Sequence, residues 1–248
     1  MVCALLLPTL VLPATRSAAL PASFYSDSTS RANGGIALVG DSLTYSYWSG
    51  LPASFVAEKW GPFQLEARSG RYTTMTSSSA TSGLDAVRRI RAGGFDPPVW
   101  IVALGTNDLW RTYSIPGATA VLIDTMMKEI GTGHRVVWVN VYNRDSLTQA
   151  IAFNNELLAA VGRHPQLTVA DWFSVISANP QWLTADGVHL NLTGSIARNE
   201  FVAHAGLVPP PSPLVCDTAS AAATQSPQPT EFTLAAEARA PAVRLCHS

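Results

Sequence analysis

The stretch "GGIALVGDSLTYSYW", residues 34–48, decides how the rest of the chain is read. Four apolar residues, Ile36 to Val39, run straight into Gly40-Asp41-Ser42-Leu43. Gly35 and Gly40 have the GxxxxG spacing of a phosphate-binding loop, and Ser42 falls where that motif has Ser or Thr. Asp41, however, replaces the lysine, and a carboxylate there repels phosphate oxygens. Ile36 to Val39 also suit a buried strand better than a flexible cradle. A G-x-G-x-x-G dinucleotide fingerprint is absent, and Thr44 takes the last glycine's place in a G-x-S-x-G elbow. The stretch therefore reads as a strand that delivers Ser42 to its C-terminal end.

Four more apolar or β-branched runs follow: "FQLEA" (63–67), "VWIVALG" (99–105), "RVVWVNV" (135–141) and "LTVAD" (167–171). Helix-compatible stretches separate them at 52–59, 83–92, 118–130 and 147–161, and a last helix is expected over 192–204. In the second, Leu84, Val87 and Ile90 recur at helical spacing, with Arg88, Arg89 and Arg91 on the wetter side. Strands alternating with helices predict an α/β fold, a five-stranded parallel sheet covered on both faces. The folded domain is expected over residues 33–207.

Bulk properties exclude several functions. The 248 residues are 47% hydrophobic and only 13% charged, with a net charge of −1. Soluble domains carry roughly 25% charged residues, and nucleic-acid binding needs clustered Lys and Arg. No nucleic-acid partner is expected. The largely apolar run from Val2 to Ala14 is shorter than the about 20 residues of a membrane span, so no stable span is expected. It fits the hydrophobic part of a secretory signal over residues 1–22, cleaved near Ala19 or Ala22. No Lys or Arg precedes the run, a departure from the signal pattern that leaves a buried or disordered segment as the alternative. From Pro209 onward Pro, Ala, Ser and Thr dominate without periodicity, so 208–248 reads as a tail. Removal of Cys3 with the signal leaves Cys216 and Cys246, either paired, as secretion favours, or inert thiols in that tail. Without C-x-x-C spacing and with five scattered histidines, no metal or other cofactor is expected.

In an α/β sheet, functional groups gather at the C-terminal ends of strands. Those ends carry Asp41-Ser42, then Gly70, then Gly105-Thr106-Asn107-Asp108; "TADGVHLNLTG" precedes the last helix with Asp186 and His189. A serine becomes nucleophilic beside a base that is itself oriented by an acid. An imidazole exchanges protons around neutrality, which makes His189 the candidate base. Asp186 lies three residues earlier, within reach of a single turn. Backbone N–H groups of Ser42 and Gly70 and the Asn107 amide are candidate donors to an oxyanion.

These residues, Gly40-Asp41-Ser42-Leu43, Gly70, Gly105-x-Asn107-Asp108 and Asp186-x-x-His189, resemble the four sequence blocks of the SGNH (GDSL-type) hydrolases, in order, over roughly residues 35–206. The resemblance implies a flavodoxin-like three-layer α/β/α sandwich. It also implies a Ser42–His189–Asp186 triad and an oxyanion hole of Ser42, Gly70 and Asn107. The run "ARSGR…GLDAVRRIRAGG…WIVALGTND" is similar to SGNH domains attached to bacterial membrane acyltransferases. A secreted, monomeric serine esterase acting on small-molecule or glycan acyl esters is the leading expectation. An acyltransferase or deacetylase on cell-envelope glycan, and a degenerate carbohydrate-binding domain, are the alternatives. Leu43, Arg71, Trp110 and Arg111 follow the blocks and can line a substrate cleft or simply pack. Asp41 and Asp108 read as loop-holding, Gly105 as a backbone requirement, and His134, His164, His204 and His247 as surface or satisfied residues. The sequon Asn191-Leu192-Thr193 starts two residues past His189, where a glycan would crowd the site, and reads as coincidental.

Overall fold

A computed structural model of the chain describes residues 24–77 and 81–209. The expected secretory segment, the tail beyond residue 209 and both Cys216 and Cys246 lie outside them.

Six strands form one sheet: β1 (Phe24–Asp27), β2 (Ile36–Gly40), β3 (Phe63–Ala67), β4 (Val99–Ala103), β5 (Arg135–Val139) and β6 (Leu167–Ala170). Their order is β1-β3-β2-β4-β5-β6. The five expected strands pair in parallel, whereas β1 adds a sixth, antiparallel to β3. The expected count of five is thus corrected. Four residues, "FYSD", make up β1, none of them fully buried. An edge strand of this kind needs no apolar run and leaves no hydrophobic signal. It begins at Phe24, ahead of the domain start expected at residue 33.

The helices are α1 (Ser42–Tyr45), α2 (Leu51–Ala57), α3 (Gly83–Ala92), α4 (Leu109–Tyr113), α5 (Ala118–Ile130), α6 (Leu147–Arg163), α7 (Trp172–Ser177) and α8 (Leu192–Ala205). Side chains alternate along a strand, and here the alternation divides the core in two. Ala37, Val39, Trp100, Val102, Val136 and Trp138 face α3, α5 and α6, meeting Val87, Ile123, Met126 and Phe153. Ile36, Leu38, Ile101, Val137 and Val139 face the other way, onto Phe55 of α2, Trp172 of α7 and Val202 of α8. The result is a three-layer α/β/α sandwich. Because β2 and β4 are buried on both faces, their sequences are continuously apolar. Since β2 to β6 are parallel, the loops after β2, β3 and β4 leave the sheet at the same edge. Among the described residues, no helix is long and apolar enough to cross a membrane.

Candidate active site

At the end of β2 the chain turns sharply into α1. A Cβ on Gly40 would meet Thr44 Oγ1 at 2.5 Å, so only glycine lets the strand close onto the helix. Asp41 caps α1, its Oδ1 accepting from Leu43 N at 3.0 Å. Burial pushes the Asp41 carboxyl up, against the pull of the buried Arg198 guanidinium from α8, which lies over the Trp172 ring. Ser42 is the first residue of α1.

The loop before α8 brings His189 to Ser42. Ser42 Oγ lies 3.0 Å from His189 Nε2, across 147 residues of sequence. On the other side of the ring, Nδ1 lies 2.7 Å from Asp186 Oδ2. Asp186 Oδ1 accepts from Thr184 Oγ1 at 2.8 Å, His189 N at 2.9 Å and Val188 N at 3.0 Å. The bond to His189, then the backbone N–H groups of Val188 and His189, hold the Asp186 carboxyl well below the usual carboxylate range. An ionised Asp186 accepts only, so Nδ1 carries the proton and Nε2 accepts from the Ser42 hydroxyl. The His189 and Asp186 side chains are 45% and 53% exposed, so the site is open to solvent.

Gly70 follows β3 with φ +71°, in the left-handed region that glycine adopts without strain. The next residue's carbonyl, Arg71 O, accepts from Asn107 Nδ2 at 3.0 Å, which joins the Gly70 turn to the loop after β4. Arg68 N donates to Gly40 O at 3.2 Å, tying the same turn to the strand that ends at Ser42. Asp108 is buried, and accepts from Thr73 N at 3.1 Å and Thr73 Oγ1 at 2.8 Å. Burial raises its carboxyl to about 6, with the Asp41 charge adding to the rise and the Thr73 bonds opposing it.

Two of the cleft candidates are corrected. The Arg71 side chain is fully buried and donates to Glu66 and to backbone carbonyls; Leu43 is 3% exposed and packs inward. Trp110 does face solvent, 65% exposed on α4. Arg111 lines a groove of about 440 Å3 with Thr74, Met75, Asp108, Ile115 and Val121. The Asn191 amide caps α8 through Gly194 N and donates to Gln181 O, so the sequon side chain is engaged within the protein. His134, His164 and His204 contact Pro97 O, Asp124 and Glu58 respectively. Among the described residues, no cluster of His, Cys, Asp and Glu is placed to hold a metal ion. Sequence reasoning missed the roles of Thr184, Glu66 and Arg198. A signal existed for Glu66, a lone charge at a buried position of β3.

A serine hydrogen-bonded to a histidine that a carboxylate orients, at the C-terminal edge of an α/β/α sheet, is the architecture of SGNH-type hydrolases. The chain belongs to the GDSL-like lipase/acylhydrolase family, whose sequence profile matches residues 38–195, more than half of its length. No curated protein matches it in sequence. Its fold is similar to the C-terminal catalytic domain of Streptococcus pneumoniae peptidoglycan O-acetyltransferase A, at TM-score 0.53 and 18% identity, over 69% of this chain and 89% of that one. LAE5, an alpha/beta hydrolase enzyme from the metagenome of Lake Arreo, matches at TM-score 0.52 and 18% identity, covering 69% and 94%. TesA matches at 0.51 and 16%, covering 69% and 97%.

Proposed function

We propose that the protein is a secreted serine esterase that hydrolyses acyl esters through a covalent acyl-Ser42. The observation that carries this reading is the continuous hydrogen-bonded chain from Ser42 Oγ through His189 to Asp186. Ser42 Oγ attacks the ester carbonyl while its proton passes to His189 Nε2, and Asp186 stabilises the imidazolium. Negative charge gathers on the former carbonyl oxygen, where the N–H groups of Ser42 and Gly70 and the second Nδ2 hydrogen of Asn107 receive it. The C–O bond to the alcohol then breaks, and the leaving oxygen takes the proton from His189. Water, deprotonated by His189, attacks the acyl-Ser42 carbonyl; the acid departs and Ser42 regains its proton.

Ser42→Ala should abolish hydrolysis of a short-chain nitrophenyl ester while the circular dichroism spectrum stays native. Unchanged turnover would refute the mechanism. Export rests on the apolar Val2–Ala14 segment.

A second reading, acyl transfer to a glycan hydroxyl, draws on the exposure of His189 and Asp186 and on the fold likeness to a peptidoglycan O-acetyltransferase domain. An acyl-Ser42 open to solvent leaves room for a sugar hydroxyl to approach and attack in place of water. Incubation with an acyl donor and oligosaccharides separates the two by acylated sugar against free acid. Failure of a fluorophosphonate to label Ser42 would favour a binding domain over both.

A further inference from the structure

Arg71 is fully buried, and its guanidinium donates four hydrogen bonds. Nη2 meets Glu66 Oε1 at 2.6 Å, Nη1 meets Glu66 O and Gly40 O at 3.3 Å each, and Nε meets Thr81 O at 3.1 Å. Gly40 stands two residues before Ser42, Glu66 lies one residue before the end of β3, and Thr81 leads into α3. The residue's own carbonyl holds Asn107 Nδ2, and its backbone directly follows Gly70. Arg71 thus fastens, by its side chain, the strand end that carries Ser42 to the turn that carries Gly70 and, by its backbone carbonyl, that turn to Asn107.

Packing alone does not call for a guanidinium here. An apolar side chain of similar size would fill the space without the cost of desolvating a charge. Nor does Glu66 need Arg71 for neutrality, because Arg89 also pairs with it at 2.7 Å from Nη2 and 3.2 Å from Nε. What only the fork supplies is a fixed distance between three backbone carbonyls from separate segments.

We propose that Arg71 is the positioning residue of the oxyanion hole, fixing the Gly70 N–H and the Asn107 amide relative to Ser42. The inference rests on the reading of Ser42 as nucleophile and of Gly70 and Asn107 as oxyanion donors. Preorganisation is what gives such donors their effect, and a misplacement of about 1 Å can cost about 10²-fold in rate.

The test compares Arg71→Met, Asn107→Ala and the double variant, with kcat counted per Ser42 titrated by a fluorophosphonate. Counting per titrated site removes any loss of folded protein. Arg71→Met should lower kcat by about 10²-fold with KM within about twofold, and slow phosphonylation by a similar factor, since the phosphonyl oxygen occupies the same hole. In the Asn107→Ala background the same substitution should cost much less, because both act on one set of donors. If Arg71→Met does not fold, Arg71→Lys, which keeps the charge beside Glu66 but not the fork, should show about a tenfold loss of kcat with the same non-additivity. Wild-type kcat per titrated site, or fully multiplicative losses in the double variant, would overturn the proposal. Turnover by Ser42→Ala would instead overturn the catalytic reading beneath it.

Discussion

Replacing Gly105 with alanine tests the turn that carries Asn107 and Asp108. Gly105 has φ +126°, a conformation that side-chain-bearing residues rarely adopt. Holding a non-glycine residue in such a region costs about 1–3 kcal/mol. The added Cβ would also lie 2.6 Å from Phe153 Cζ, 2.7 Å from Cε1 and 3.0 Å from Val141 Cγ1. Phe153 is 1% exposed and cannot swing aside, so overpacking adds about 1–3 kcal/mol. Together these give about 4 kcal/mol, measurable by urea unfolding and survivable in a domain of ordinary stability, about 5–15 kcal/mol. Phe153→Leu removes the ring atoms that clash and leaves φ unchanged. In that background Gly105→Ala should cost about 1–3 kcal/mol less, and the remainder should persist as backbone strain. A Gly105→Ala protein within about 0.5 kcal/mol of wild type, the usual scatter of innocuous surface changes, would refute both parts of the reasoning. An equal cost in the two backgrounds would refute the steric part alone.

Asn107→Ala should lower kcat on a nitrophenyl ester by about 10²–10³-fold with little change in KM, the signature of a donor used only in the transition state. Asp108 should make stability depend on pH. Its folded carboxyl is raised to about 6, against about 3.9 in an unfolded chain, so the folded state holds a proton that the unfolded state has lost. The stability it contributes is full below about pH 4 and is lost as pH rises to about 6, by about 3 kcal/mol. Asp108→Asn should remove this slope, seen as a smaller fall in urea midpoint between pH 4 and 7 than wild type shows.

Much of the fold lay in short-range pattern. Strands β2 and β4 are continuous apolar runs because they are buried on both faces, and α3 and α5 begin and end where periodicity places them. The short helices α4 and α7 did not stand out, since each spans at most six residues, too few for a period to repeat. Strand β1 escaped for a related reason: its backbone bonds to β3 hold it at the edge, so its side chains need not be apolar.

The sequence by itself determined that Ser42, Gly70, Asn107 and His189 emerge in loops at the sheet edge, because strand polarity follows from the alternation of strands and helices. It also placed Asp186 within one turn of His189. Only the tertiary structure decided that Ser42 meets His189 across 147 residues, that Leu43 turns inward and that the Arg71 side chain belongs under the site. The physical reason is the range of the forces. Periodicity is set by neighbours along the chain, whereas the place of a charge such as Arg71 depends on acceptors 5 to 31 residues away that folding alone brings together.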